Sequence, residues 1–135
     1  MSINPYLFYD GKCEEAFKFY EKVLGGKIAA MLTYDGAPES MPVSSDWKKK
    51  IMHAMMTIDG QTLMASDASP GHFHKPQGFA VSLQLNDPAE AERKFNALAA
   101  GGTVGMAFGK TFWSKGFGMC VDQFGIPWMV NVPEA

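Results

Sequence analysis

Two side chains in this sequence are suited to moving a proton near neutral pH, His53 and Asp67, and a hairpin stands between them. Histidine titrates near neutrality, and a carboxylate beside it orients it as a general base. His53 lies near the start of a strand-like run over residues 52–58, and Asp67 follows the next run, 61–66. The Asp59-Gly60 turn would bring them to opposite rims of that hairpin. A structural hydrogen bond or a strand cap explains both residues equally well. Asp67 also lies beyond the alternation that directs Met64, so its direction is open. His72 and His74, two apart on a Gly/Pro-flanked segment without a nearby carboxylate, make a poor metal pair. Cys13 and Cys120 lie far apart with no CxxC spacing, against a disulfide framework or a zinc knuckle. Cys120 falls in an apolar run, and Glu14 and Glu15 oppose any activation of Cys13 at a helix start. The sequence has no GxSxG elbow and no glycine-rich strand–turn–helix signature for a nucleotide cofactor.

Composition narrows the partners. Apolar residues make 47% of the 135 and charged residues 19%, a globular composition, and the net charge of −2 steers the chain toward neither nucleic acid nor an anionic membrane. The one lysine run, Lys48-Lys49-Lys50, is shorter than a basic tract. No stretch approaches the roughly 18 apolar residues of a membrane span. The opening Met1-Ser2-Ile3-Asn4-Pro5 lacks the charged and apolar regions of a signal peptide, so the cytoplasm is the expected compartment.

The elements that must position these residues occur twice. Alternating runs at residues 3–9 and 79–85 end in polar turns and lead into amphipathic helices. Ala16, Phe17, Phe19, Tyr20, Val23 and Leu24 recur at helical spacing in the first; Ala91, Phe95, Leu98 and Ala99 do so in the second, with Asp87 as N-cap and Pro88 at the first helical position. Both stop on a double glycine, Gly25-Gly26 and Gly101-Gly102, the signature of a left-handed cap. Strand-like runs follow at 27–34, 52–58 and 61–66, then at 103–108, 116–121 and 128–132. A single offset pairs Leu7 with Leu83, Tyr9 with Leu85, Phe19 with Phe95 and Gly26 with Gly102, which argues for duplication. The expected fold is α+β: two tandem βαβββ modules, residues 1–68 and 78–135, forming curled mixed sheets, with 69–77 as linker in one domain.

Four stretches carry a family resemblance: Pro5-Tyr6-Leu7-Phe8 with Gly11 and Glu15-Ala16; Phe19-Tyr20 with Leu24-Gly25-Gly26; His53-Ala54 leading to Met64-Ala65-Ser66-Asp67; and Thr111-Phe112-Trp113 continuing through Phe117-Gly118, Asp122 and Phe124-Gly125 to Pro127-Trp128-Met129-Val130-Asn131. Together they span nearly the whole chain and resemble the vicinal oxygen chelate superfamily, which holds the glyoxalases, bleomycin-resistance proteins and extradiol dioxygenases. The wording is closest to the PhnB-like branch. The resemblance implies the paired βαβββ (glyoxalase/bleomycin-resistance) fold, a homodimer, and a solvent-accessible cavity in each bowl. Proteins resembling this one have been labelled ubiquinone-pathway methyltransferases, but nothing in the sequence looks like an S-adenosylmethionine site. No anion-binding cluster suggests a phosphonate ligand.

In the superfamily's metalloenzymes the first and last strands of each half supply His, Gln or Glu ligands. Carried over, those positions fall on Asn4–Pro5, Met64, Val81–Ser82 and Met129. Thioethers are soft ligands with little affinity for hard or borderline cations, so no metal and no cofactor is expected. Alternation then gives the ligand-binding candidates. Ser82 and Gln84 lie opposite the apolar Val81, Leu83 and Leu85; the offset adds Tyr6 and Phe8, and the last strands add Met64, Ser66, Met129 and Asn131. The same residues would equally fill the bowls as core. Trp113, a further ligand-binding candidate or an architectural residue, stands beside Phe112 in a loop flanked by Gly109 and Gly116 that reads as a lid or a dimer contact, and Met41-Pro42 is a candidate for the cavity mouth. The function expected is binding of an unidentified small molecule, with neither nucleic acid nor membrane as partner. The alternative is an enzyme using a displaced metal or the His53/Asp67 pair.

Overall fold

In the first strand, alternation separates two faces. The computed structural model describes residues 1–36 and 44–134, so Met41-Pro42 lies outside the described residues. Strand β1 (Tyr6–Tyr9) buries Leu7 and Tyr9 and leaves Tyr6 and Phe8 on its other face. It starts at Tyr6 rather than residue 3, because Pro5 has no N–H to add to a ladder; its carbonyl still accepts from the Met64 amide at 3.1 Å. Helix α1 (Cys13–Leu24) buries Cys13, Ala16, Phe17, Tyr20 and Leu24, a single stripe. Each aromatic in that stripe contributes about 2 kcal/mol by leaving water. Tyr9 Oη donates to Tyr20 Oη at 3.1 Å, tying β1 to the helix.

After α1 come β2 (Lys27–Thr33), a 3₁₀ turn (Tyr34–Gly36), β3 (Ile51–Ile58) and β4 (Gln61–Asp67). Asp59 and Gly60 have φ of 48° and 76°, the left-handed pair that a two-residue hairpin requires. The sheet order is β1-β4-β3-β2, with β1 parallel to β4 and the other pairs antiparallel. Helix α1 packs on β3, β2 and β4.

The chain divides into two compact units at the His74–Lys75 step. The second unit repeats the plan with β5 (Val81–Gln84), α2 (Pro88–Ala99), β6 (Thr103–Gly109), β7 (Ser114–Val121) and β8 (Pro127–Pro133), in the order β5-β8-β7-β6. Here β5 is parallel to β8 and the other pairs are antiparallel. Asp87 caps α2 by accepting from the Ala89 amide at 3.1 Å, with Pro88 at the first position. Ala91, Phe95 and Leu98 face the sheet, and Phe95 lies where a side chain on Gly118 would stand.

The double glycines divide their work. Gly25 and Gly101 take the left-handed conformation, with φ of 76° and 77°. Gly26 and Gly102 serve close packing: a Cβ on Gly102 would collide with the Val121 carbonyl oxygen. Helix α2 differs from expectation in placing an extended Ala100 before its left-handed glycine. The segment expected as a loop between Gly109 and Gly116 is shorter, because β7 begins at Ser114 opposite Pro133.

Both thiols are buried. Burial, then Asp67 and Glu14, push the Cys13 pKa strongly up; burial, then Asp122, push Cys120 up to about 11. Each folded-state value is raised, so the stability it contributes is present below the unfolded thiol value and is lost as pH rises through the folded one. Resistance to denaturant should therefore fall from about pH 9 through about 11. In a second measurement, neither thiol should react with a disulfide reagent near neutral pH until denaturant is added.

Candidate functional site

The strand registers assemble the first unit's open face. Tyr6 pairs with Met64 and Met64 with Met55; Phe8 pairs with Ser66; His53 pairs with Leu32. Alternation puts Leu7, Ala54, Leu63 and Ala65 on the buried side, leaving the other side to aromatic, thioether and hydroxyl groups. Tyr6 reaches across the intervening strand, its Oη 3.2 Å from His53 Nδ1 and its ring 5.9 Å from the imidazole. The Phe8 ring lies 5.0 Å from Tyr6 on the same face and is half exposed. Ser66 is buried. The sequence reading missed Met55, although it alternates with His53 along β3.

The His53/Asp67 pair does not assemble. Alternation continues to the end of β4, so Asp67 falls on the side of Leu63 and Ala65, beneath the start of α1. Its Oδ1 accepts from the Cys13 amide at 2.9 Å and its Oδ2 from the Ile51 amide at 2.8 Å; only 1% of the residue is exposed. Its carbonyl accepts from Tyr34 Oη at 2.7 Å. Lys12, the N-cap of α1, supplies no side-chain cap, and the Asp67 carboxylate takes that place at the positive end of the helix. Asp67 is an anchor between helix and sheet, while His53 is partnered by Tyr6.

In the second unit the matching face carries Ser82 beside Met129, Met129 beside Met119, and Asn131 between Gln84 and Phe117. The polar members connect. Ser82 Oγ lies 2.8 Å from the Gln84 carboxamide, that carboxamide lies 2.8 Å from Asn131, and Asn131 lies 2.7 Å from Ser114 Oγ. Trp113 is half exposed, with its ring 5.7 Å from Phe117 and 4.7 Å from Phe112. Ser114 was not among the expected residues; Lys115-Gly116 breaks the apolar run that would have marked it as strand.

The positions a metal would need carry the wrong donors. The register sets Tyr6, rather than Asn4–Pro5, beside Met64, and sets Ser82 beside Met129. A neutral phenol, a hydroxyl and two thioethers do not fit a hard or borderline divalent cation. Among the described residues no group of three or more His, Cys, Asp or Glu side chains converges.

Comparison with known proteins agrees with this architecture. Residues 1–131 match the family model described as 3-demethylubiquinone-9 3-methyltransferase. Protein YjdN of Escherichia coli K12 is 35% identical over 98% of this chain and 95% of its own. The crystal structure of protein PA1353 from Pseudomonas aeruginosa is 47% identical, with a TM-score of 0.90 and 98% of each chain covered. A PhnB protein from Bacillus cereus is 27% identical, with a TM-score of 0.82 over 98% of this chain and 99% of that one. A glyoxylase/bleomycin resistance protein/dioxygenase domain from Frankia sp. EAN1pec shares the fold alone, at 13% identity and a TM-score of 0.65 over 99% and 98% of the two chains. The chain belongs to the family described as 3-demethylubiquinone-9 3-methyltransferase, is similar to a PhnB protein, and has the fold of the glyoxylase/bleomycin resistance protein/dioxygenase domain.

Proposed function

We propose that this protein binds a small, largely neutral molecule without a metal, on the open face of the first unit's sheet. The observation that carries the reading is the Tyr6–His53 contact of 3.2 Å, a protic pair set among Phe8, Met55 and Met64. A neutral imidazole both donates and accepts, and so does a phenol, so the pair can meet either kind of ligand group. Thioethers and aromatic rings around it adapt to ligand shape. Ser66 pairs with Phe8 across β1 and β4, and Ser82, Gln84, Met129, Asn131 and Trp113 offer comparable chemistry on the second unit. The methyltransferase wording belongs to the family's description; hydrogen bonds and thioether contacts are binding chemistry. A proton-transferring reading would run through His53 and Tyr6, since Asp67 is committed to two backbone amides. With the binding reading go a homodimer, twice the 14.8 kDa chain mass in solution, and a cytoplasmic location.

The test is a titration with p-cresol followed by NMR. Saturable shifts at Tyr6, Phe8, His53 and Met64 are expected, with binding about five-fold weaker in Tyr6→Phe, the loss of one hydrogen bond. No response at those residues, or stoichiometric zinc, nickel or manganese in protein purified without chelator, would overturn the proposal.

A further inference from the structure

The second unit sets three methionines side by side on the face of its sheet that α2 leaves open. Met129 of β8 stands opposite Met119 of β7, and Met119 stands opposite Met106 of β6. Met129 alternates with the buried Trp128 and Val130. Met119 lies between the buried Cys120 and Gly118, and Phe95 of α2 fills the space over Gly118. Both methionines therefore point away from the helix.

Met106 joins them only through an irregularity in β6. Val104 pairs with Cys120 and Met106 with Met119, so β6 advances two residues while β7 moves one. Regular pairing would set Met106 opposite Gly118, on the helix side with Phe108, whose ring lies 5.8 Å from Phe95. The extra residue at Gly105 re-aims Met106 onto the open face, as a bulge does.

Neighbouring strands lie about 4.8 Å apart, so Met106 and Met129 flank Met119 within reach of a point above it. A methionine side chain turns about three bonds and carries a polarisable sulfur. Burial does not account for the placement, since Met106 is 44% and Met119 36% exposed. The next positions on this face, Ser82, Asn131 and Phe117, are neutral and offer no carboxylate to a hard cation. The matching row of the first unit, Tyr6, Met64, Met55 and Ala30, has only two thioethers. We propose that Met106, Met119 and Met129 form a binding site for a soft monovalent cation of the copper(I) type. Each thioether gives the ion one sulfur lone pair, and softness selects copper(I) where the same donors reject zinc, nickel or manganese. The site is separate from the first unit's open face and rests on nothing proposed there.

The experiment titrates the intact protein, its methionine methyls labelled with carbon-13, with silver(I) nitrate in chloride-free buffer. Silver(I) is a soft monovalent probe that needs no reductant. One equivalent should shift the methyls of Met106, Met119 and Met129 saturably, and zinc(II) should leave them unmoved. Met106→Leu and Met119→Leu keep volume and apolarity at exposed positions, so the fold should stand. Each should weaken silver(I) binding at least about ten-fold, since removing a ligand costs no less than removing a group that supports one. Silver(I) also seeks thiols, and Cys120→Ala is the control; the three methyls should respond there as in the wild type. Loss of the response in Cys120→Ala, or undiminished affinity in both leucine variants, would overturn the proposal. So would methyls that ignore silver(I) and move with protein concentration, the behaviour of a face covered by a second copy.

Discussion

Asp67→Ala should cost the fold about 4 kcal/mol, because it orphans two buried amide donors at about 1–3 kcal/mol each and removes an anion from a helix N-terminus. The donors are Cys13 N, at the first turn of α1, and Ile51 N, at the start of β3. Neither has water as a substitute, since Asp67, Cys13 and Ile51 are all buried. Measured against the about 5–15 kcal/mol of a typical domain, that loss should bring the urea midpoint down steeply at unchanged slope. Asp67→Asn should lose about half as much, since one oxygen still accepts while the NH₂ confronts the other amide. His53→Ala removes only a half-buried contact with Tyr6 and should cost about 1 kcal/mol or less. The contrast separates the residues: an acid–base partner of His53 would leave stability nearly intact when replaced, whereas an anchor takes the fold with it. A midpoint for Asp67→Ala within error of the wild type would refute the anchor.

The difference between these two residues shows what was legible in the sequence. Alternation identified Tyr6, Phe8, Met64 and Ser66 as one face. The offset matched Tyr6 and Phe8 to Ser82 and Gln84, and spacing from the hairpin glycines Gly60 and Gly125 matched Met64 to Met129. The two registers repeat accordingly, Tyr6 beside Met64 as Ser82 beside Met129, Phe8 beside Ser66 as Gln84 beside Asn131. The Asp87 cap and the Asp59-Gly60 turn were equally readable, because each is decided by neighbouring residues. The partner of His53 was not. Tyr6 reaches it over β4, which depends on the order β1-β4-β3-β2, and alternation carries no information on strand order. The side of Asp67 turned on whether β4 continued one residue past Ser66. Ser114 was hidden because its value lies in contacts with Asn131 and Val132, far along the chain.

Asp122 is the second unit's counterpart in role, and replacing it should do comparable damage. It is 3% exposed; its Oδ1 accepts from the Phe124 amide at 2.8 Å and the Ile126 amide at 3.0 Å, and its Oδ2 accepts from Trp128 Nε1 at 2.8 Å. The strand pairing that matches Met64 with Met129 and Ser66 with Asn131 sets Asp67 against Val132, so duplication did not supply the Asp67 anchor. Asp122→Ala should lose about 4 kcal/mol, since it deprives buried backbone and indole donors together. Asp122→Asn is the sharper probe. With its oxygen held by two backbone amides, its NH₂ must face the Trp128 N–H, donor against donor, at about 2 kcal/mol. Trp128→Phe loses packing volume in either background, but only alongside Asp122→Asn does it also remove that opposition. In a double-mutant cycle it should therefore cost about 1–2 kcal/mol less there than in the wild type. A coupling of zero would mean that Trp128 holds the β7–β8 corner by its apolar body alone, and that the Asp122 carboxylate serves only the turn.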